Sequence, residues 1–137
     1  MSKIFIDTNI LIYSIDSSEK RKLKRSRELL KSLIKSRTGV ISTQVMQEFY
    51  VTCVKKLKIE PKSAKKMLGT LGVFEVVDVV SKTIEEAVDI SILNEVSFWD
   101  SLIIAAAVNA NCEELWTEDL NSGQKINGVA ILNPLKT

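Results

Sequence analysis

The sequence has 137 residues, a net charge of +2 and no histidine. Without histidine the chain cannot use His-based acid–base catalysis, a Ser-His-Asp or Cys-His nucleophile, or His-ligated zinc, and it also lacks the glycine-rich phosphate-binding motifs. If the protein is an enzyme, carboxylates are the obvious remaining groups, and carboxylates select hard cations such as Mg²⁺ or Mn²⁺.

The first apolar run, Ile4–Ile6, is typical of a buried strand and is followed directly by Asp7. Ligands of open α/β sheets bind just beyond the carboxyl ends of the strands, so Asp7 is well placed to hold a charged group. The alternative is that Asp7 or Thr8 only caps the following helix, as these residue types often do.

Positive charge is concentrated in the first half of the chain. Residues 1–68 contain 16 Lys and Arg against 6 Asp and Glu, whereas residues 69–137 contain 3 against 11. Much of the excess lies in Lys20–Arg37, and such asymmetry indicates a polyanionic partner. Because this stretch also carries an apolar stripe, a solvated helix face is an equally weighted alternative.

Strand and helix patterns alternate along the chain. Strands are predicted at Lys3–Asp7, Val40–Ser42, Phe74–Val77, Leu115–Thr117 and Val129–Leu132. Helices are predicted at Gln44–Lys58, at Pro61–Leu71, from a Thr83-x-x-Glu86 capping box to about Glu95, and from Ser97-x-x-Asp100 through Ala110. This alternation predicts a three-layer α/β domain with a mostly parallel central sheet of about five strands.

Three more acids are candidates for the same site. Glu48 lies at the edge of the apolar stripe of its helix, which alone is a weak signal. Asp100 precedes a helix that is apolar on all sides, where a buried charge needs a partner, although a capping box with Ser97 also explains it. Asp119 follows a short strand, and Glu118 beside it is predicted to face solvent.

These acids are predicted to meet at one edge of the sheet. Asp7 and Asp119 reach that edge from strand ends and Asp100 from a helix start, and Glu48 joins them if its helix packs across the edge. Carboxylates this close repel one another, so one must be protonated or a cation must neutralise them. A divalent ion held there can activate water and stabilise the charge on a phosphate.

The rest of the sequence bears on the number of domains, on membrane contact and on cellular location. No linker, repeat or low-complexity tract is present, which predicts one domain over residues 1–137. The longest apolar run, Leu102–Val108, is too short to span a bilayer, and Asp7 interrupts any N-terminal signal peptide. We therefore expect a cytoplasmic protein without membrane contact, in which Cys53 and Cys112 are reduced core thiols.

The pattern resembles that of PIN domains, specifically VapC-like toxin ribonucleases, over essentially the whole chain. The matching segments are Phe5–Leu11, Gln47-Glu48, Trp99–Ile103 with Ala105–Ala107, Leu115–Leu120, Gly128-Val129 and Asn133-Pro134. The resemblance implies a PIN-like α/β/α fold. It also implies a catalytic, metal-binding site for Mg²⁺ or Mn²⁺ formed by Asp7, Glu48, Asp100 and Asp119. Thr8, Asn9 and Thr117 are then expected to orient carboxylates or a bound water.

The function implied by the resemblance is metal-dependent hydrolysis of RNA by the toxin of a type II toxin–antitoxin system. RNA is then the substrate, and a second copy of the chain and a small antitoxin are the expected partners. The basic stretch would supply phosphate contacts through Lys20, Arg21, Lys24 and Arg25. The alternatives are a non-catalytic RNA- or protein-binding PIN-like module and a DNA repair or replication nuclease.

Overall fold

A computed structural model describes residues 2–136 of the chain. The strands are β1 (Lys3–Ile6), β2 (Gly39–Ser42), β3 (Glu75–Val77), β4 (Cys112–Trp116), β5 (Lys125–Ile126) and β6 (Val129–Leu132). The helices are α1 (Thr8–Tyr13), α2 (Lys20–Ser36), α3 (Thr43–Lys55), α4 (Pro61–Thr70), α5 (Ser81–Asn94) and α6 (Phe98–Asn109), and a short 3₁₀ turn occupies Leu71–Val73.

The strands form one sheet in the order β3-β2-β1-β4-β6-β5, in which every neighbouring pair is parallel except β5 and β6. The central strand β1 lies between β2 and β4, and Ile6 pairs with Trp116. Because these two strands run in the same direction, Asp7 and Thr117 leave the sheet side by side. The fold thus brings together two polar residues that are 110 positions apart in sequence.

Helices cover both faces of the sheet. Phe5 and Ile6 are both 0% exposed, although successive strand residues point to opposite faces. Val40 and Ile41 in β2 are buried in the same way. The predicted three-layer α/β arrangement with a mostly parallel sheet is therefore confirmed.

All five predicted strands are present, and the sheet has a sixth, β5, that the sequence analysis missed. β5 has only two residues, too few for a periodic pattern. Asn127 and Gly128 connect it to β6, and both have a positive φ (47° and 87°). An Asn-Gly pair at such angles is typical of a tight hairpin, so that dipeptide was the available signal.

Two helix predictions need correction. The third helix ends at Lys55 rather than Lys58, because Lys58 adopts a left-handed conformation (φ 57°). The fifth helix begins at Ser81, so Thr83 is its third residue rather than its cap, and the Thr83 hydroxyl accepts a hydrogen bond from the Val80 N–H (3.2 Å).

Both cysteines, Cys53 and Cys112, are buried free thiols, in agreement with their predicted place in the core. Over residues 2–136, no single helix has both the length and the apolar composition needed to cross a bilayer. The pair α5 and α6 reaches those values only when taken together, across a bend of 116°.

Candidate functional site

Asp7 lies at the junction between β1 and α1. Its N–H donates to the Trp116 carbonyl (3.0 Å), which continues the pairing of β1 with β4 beyond the strand. Its Oδ1 accepts a hydrogen bond from the Thr8 N–H (2.7 Å), and its Oδ2 accepts one from the Thr117 hydroxyl (2.8 Å). Asp7 therefore caps α1, as the alternative interpretation expects, yet it is also only 5% exposed.

Burial raises the pKa of the Asp7 carboxyl from 3.8 to about 7. Hydrogen bonds from Thr117 and Thr8 stabilise the ionised form and lower this pKa, whereas the negative charges of Glu48 and Asp119 raise it further. The charges of Glu48 and Asp119 thus act on Asp7, and the charge of Asp7 changes near neutral pH.

Glu48 projects from α3 toward Asp7 and is half-buried. Its Oε1 accepts a hydrogen bond from the Thr8 hydroxyl (2.7 Å), and its Oε2 accepts one from the Gln44 amide nitrogen (3.3 Å). The same amide nitrogen donates to the Trp99 carbonyl at the start of α6 (3.3 Å). Within residues 2–136, no donor reaches the Gln44 Oε1, although this oxygen is buried. A carboxylate is thus held beside an amide oxygen that lacks a partner.

Asp119 lies just after β4 and is exposed. Its Oδ2 accepts a hydrogen bond from the Asn9 amide nitrogen (3.1 Å), which also donates to the Thr117 hydroxyl oxygen (3.3 Å). The Asp119 N–H donates to the same hydroxyl oxygen (3.1 Å). Thr117 thus connects Asp7 with the loop that carries Asp119. The three polar residues predicted to orient the acids (Thr8, Asn9 and Thr117) all contact at least one of them.

Asp100 is the third residue of α6 and is half-buried rather than enclosed as expected, and Trp99 beside it is 65% exposed. The Ser97 hydroxyl accepts a hydrogen bond from the Asp100 N–H (3.2 Å), but within residues 2–136 the Asp100 carboxylate makes no hydrogen bond. Only half of the predicted capping box forms. Asp100 is also not among the charges that raise the pKa of Asp7, and its connection to the site runs through the contact of Gln44 with Trp99.

Glu118 does not face solvent as predicted, since it is the less exposed of the two neighbouring acids. Its carboxylate forms a salt bridge with Lys22 of α2 (2.7 Å) and accepts a hydrogen bond from the Tyr13 hydroxyl (2.6 Å). The Lys22 ammonium also lies 4.6 Å from the centre of the Tyr13 ring. The Glu118 N–H donates to the side-chain oxygen of Asn9 (3.3 Å), so this cluster fixes the loop that bears Asp119.

The four basic residues proposed for phosphate contacts do not share one role. All are exposed on α2, but the Arg21 guanidinium donates to the Leu135 carbonyl (2.9 Å) and that of Arg25 donates to the Pro134 carbonyl (3.2 Å). These two arginines attach α2 to the C-terminal segment, which their sequence pattern did not indicate. Lys20 and Lys24 remain as the exposed cations available to a partner.

A groove of about 500 Å³ opens beside the acids. It is lined by Thr8, Asn9, Ile12, Tyr13, Gln47, Glu48, Val51, Thr52, Lys56 and Asp119. Within residues 2–136, no three acidic or cysteine side chains converge closely enough to form a ready-made metal cluster. The carboxylates are instead joined through the hydroxyl and amide groups of Thr8, Asn9 and Thr117.

The family follows from the sequence itself. The sequence profile of the PIN domain matches residues 4–125, so this chain belongs to the PIN domain family. No curated protein sequence matches it.

Solved structures share the fold over nearly the full length. A toxin–antitoxin complex from Klebsiella pneumoniae matches at 23% identity and a TM-score of 0.70, covering 97% of this chain and 98% of that chain. VapBC2 from Rickettsia felis, bound to a DNA fragment from its promoter, matches at 21% and 0.70, covering 93% and 96%. The Mycobacterium tuberculosis toxin VapC20, which cleaves the sarcin-ricin loop, matches at 18% and 0.70, covering 85% and 92%. At these identities the likeness concerns the fold.

The buried Asp7 predicts an unusual dependence of stability on pH. Because its folded pKa is raised, the folded state holds the proton more tightly than the unfolded state, so stability is lost as the pH rises from about 4 toward 7. Urea unfolding in the presence of a chelator should show the protein less stable at about pH 8 than at about pH 5, by on the order of 3 kcal/mol.

Asp7→Asn should largely remove this dependence, and the variant should be more stable than wild type at the higher pH. Asp89→Asn is the matched control, because Asp89 is an exposed carboxylate on α5. A wild-type protein whose stability is the same at both pH values, or an Asp7→Asn variant that keeps the wild-type profile, would contradict the buried, repelled carboxylate.

Lys22→Met should loosen the loop that carries Asp119. Hydrogen exchange at the Glu118 and Asp119 amides should become roughly tenfold faster, since a hydrogen bond to a charged group contributes about 1.5 kcal/mol. Lys24→Met removes the same charge from an exposed position of the same helix and should leave these amides unchanged. Equal protection of both amides in the two variants would show that the Lys22 salt bridge does not hold the loop.

Proposed function

We propose that this PIN domain is a metal-dependent endoribonuclease and the toxin of a toxin–antitoxin pair. The observation that carries the proposal is the burial of the Asp7 carboxyl near Glu48 and Asp119. Burial first, and the two neighbouring negative charges after it, raise the pKa of Asp7 to about 7. A carboxyl buried next to two other acids is costly to ionise, and such carboxyls are common at sites where a ligand compensates the charge.

The side chains fit a hard divalent cation. Asp7, Glu48, Asp100 and Asp119 offer carboxylate oxygens, which Mg²⁺ and Mn²⁺ prefer. Mg²⁺ normally keeps several waters and is held by one or two carboxylates together with substrate phosphate, so a tight cluster of three acids is not required. The unpartnered Gln44 Oε1 supports this fit, because water held among the carboxylates would give that oxygen its missing donor.

Each side chain then has a defined part in phosphodiester hydrolysis. A bound divalent cation supplies activation of water and stabilisation of the charge on the phosphate oxygens. Thr8 fixes the Glu48 carboxylate and Thr117 fixes that of Asp7. Because the chain has no histidine, a carboxylate accepts the proton of the attacking water. The Asp100 carboxylate makes no hydrogen bond within residues 2–136, so its oxygens are free to bind the cation.

The proposed partners rest on different features. The toxin–antitoxin complex from Klebsiella pneumoniae shares this fold over 97% of the chain, which supports an antitoxin as partner. A homodimer is supported by α5, where Ile84, Val88 and Ile92 follow one another at four-residue intervals and are all exposed. RNA as the substrate is supported by the exposed lysines of α2, which suit a polyanion.

Asp7→Asn and Asp100→Asn should each abolish RNA cleavage while the protein stays folded, because each removes a carboxylate charge with little change in volume. Wild-type cleavage should require Mg²⁺ or Mn²⁺, and Asp89→Asn should cleave like wild type. Mn²⁺ at a hundredfold excess over its dissociation constant should stabilise the wild type by about 2.7 kcal/mol and Asp100→Asn much less. Full cleavage in excess chelator, or by Asp100→Asn, would exclude this mechanism.

Replacing Lys20 and Lys24 together with Ser should weaken RNA binding about equally for all sequences. The slope of log affinity against log salt should fall by roughly 0.7 for each lost contact on a single strand. Lys62→Ser with Lys65→Ser, an equal charge change on the exposed side of α4, is the control. Arg21 and Arg25 are left intact because they hold the C-terminal segment. If both double variants bind with wild-type affinity and slope, α2 is only a solvated helix face.

A further inference from the structure

One face of α3 combines an acid, a hydroxyl and a cation at regular intervals. Glu48, Thr52 and Lys56 are spaced four residues apart, and all three line the groove beside the acidic site. Lys56 directly follows α3, still has helical angles (φ −88°, ψ −50°), and its N–H donates to the Thr52 carbonyl. At 1.5 Å per residue, its backbone is therefore about 12 Å from that of Glu48 along the helix axis.

The part of the groove between these two charges is apolar. Ile12 and Tyr13 of α1 and Val51 of α3 line it, and Val51 is 48% exposed, so its side chain is accessible to a ligand. The Tyr13 hydroxyl is already engaged by Glu118 and Lys22, so this ring is fixed in place with its polar end occupied.

Lys56 has no structural duty in the fold. Within residues 2–136 the only salt bridges are those of Lys3 with Glu75 and of Lys22 with Glu118, and the Lys56 ammonium donates no hydrogen bond. The acid it influences is Asp16, whose pKa is lowered mainly by hydrogen bonds from Ser18 and only secondarily by Lys56. Its charge is therefore available to a ligand in the groove.

We propose that this groove is a substrate subsite for single-stranded RNA, in which Lys56 binds a backbone phosphate flanking the bond that is cut. The wall formed by Ile12, Tyr13 and Val51 contacts the intervening base or ribose. The inference rests on the proposed nuclease function and adds the residues that hold the strand beyond the bond that is cut. Along the groove, the acidic site comes first, the apolar wall second and the cation third. A nucleic acid strand has the matching order of a phosphate, a nucleoside and a second phosphate.

A single strand fits this groove better than a duplex. The volume of about 500 Å³ is that of a pocket for one small ligand or nucleotide unit. Duplex RNA is recognised across wide, shallow surfaces, whereas the bases of a single strand can turn outward and lie against aromatic or apolar side chains. The apolar wall is useful only in the second case.

Lys56→Met and Lys55→Met form a matched pair for the test. Lys55 is the last residue of α3, is exposed and does not line the groove, so both variants lose one charge from the same helix end. Binding of a labelled single-stranded RNA is measured by fluorescence anisotropy at several salt concentrations, with chelator present so that no RNA is cut. Lys56→Met should weaken binding by roughly tenfold, and the salt slope should fall by roughly 0.7.

Lys55→Met should bind close to wild type. With Mg²⁺ present, Lys56→Met should raise KM and leave kcat unchanged, because a contact to a flanking phosphate is made equally in the ground state and the transition state. The effect of Lys56→Met should also disappear on a dinucleotide, which lacks the flanking phosphate.

The outcomes separate the subsite from the nuclease function. Equal binding by the two lysine variants, or tighter binding of duplex than of single-stranded RNA, would overturn the subsite even if the wild type cleaves RNA. Lys56-dependent binding by a wild type that never cleaves RNA in Mg²⁺ would establish the subsite and refute the nuclease. A wild type that does not bind single-stranded RNA overturns the subsite.

Discussion

The carboxyl of Asp7 is the constraint on which the site depends. It lies at the end of the central strand, is almost completely buried and accepts hydrogen bonds from Thr8 and Thr117. These bonds favour the ionised form, but burial and two neighbouring acids oppose ionisation more strongly. Ionisation of Asp7 near neutral pH therefore lowers the stability of the folded protein, mainly because the carboxyl is buried. Under the proposed function, a bound cation would offset this cost.

Short polar side chains lie between the acids and hydrogen bond to them. Thr8 lies between Asp7 and Glu48, donating its hydroxyl to the second and its N–H to the first. Asn9 and Thr117 lie between Asp7 and Asp119 in the same way: Thr117 donates to Asp7, and Asn9 donates to Asp119 and to Thr117. The carboxylates of Asp7, Glu48 and Asp119 are thus oriented by hydrogen bonds before any ligand binds, which lowers the ordering cost of binding. In a compact cluster the acids would lie directly beside one another. Here hydroxyl and amide groups lie between them.

Sequence reasoning located Asp7 and Asp119 because the ends of parallel strands share one edge of a sheet, and an apolar run followed by an acid marks such an end. Glu48 and Asp100 lie on helices, where apolar patterns identify the buried face but not the groups across from it. The cluster of Lys22, Tyr13 and Glu118 could not be found in this way. It joins residues 96 and 105 positions apart through side-chain contacts that follow no periodicity. The same limit applies to Arg21, whose partner is a backbone carbonyl near the end of the chain.

The basic residues that are concentrated in the first half of the sequence have different roles in the fold. Part of the basic excess is used internally, since Lys22 neutralises Glu118 beside the site and Lys3 neutralises Glu75 at β3. The other basic residues include Lys20 and Lys24, which are exposed on α2, and Lys56, which lines the groove beside the acids. A polyanion is attracted by these cations and repelled by the acids, unless a cation is bound at the acids. Metal and nucleic acid should therefore each strengthen the binding of the other, because a metal at the acids replaces repulsion of the phosphates by attraction.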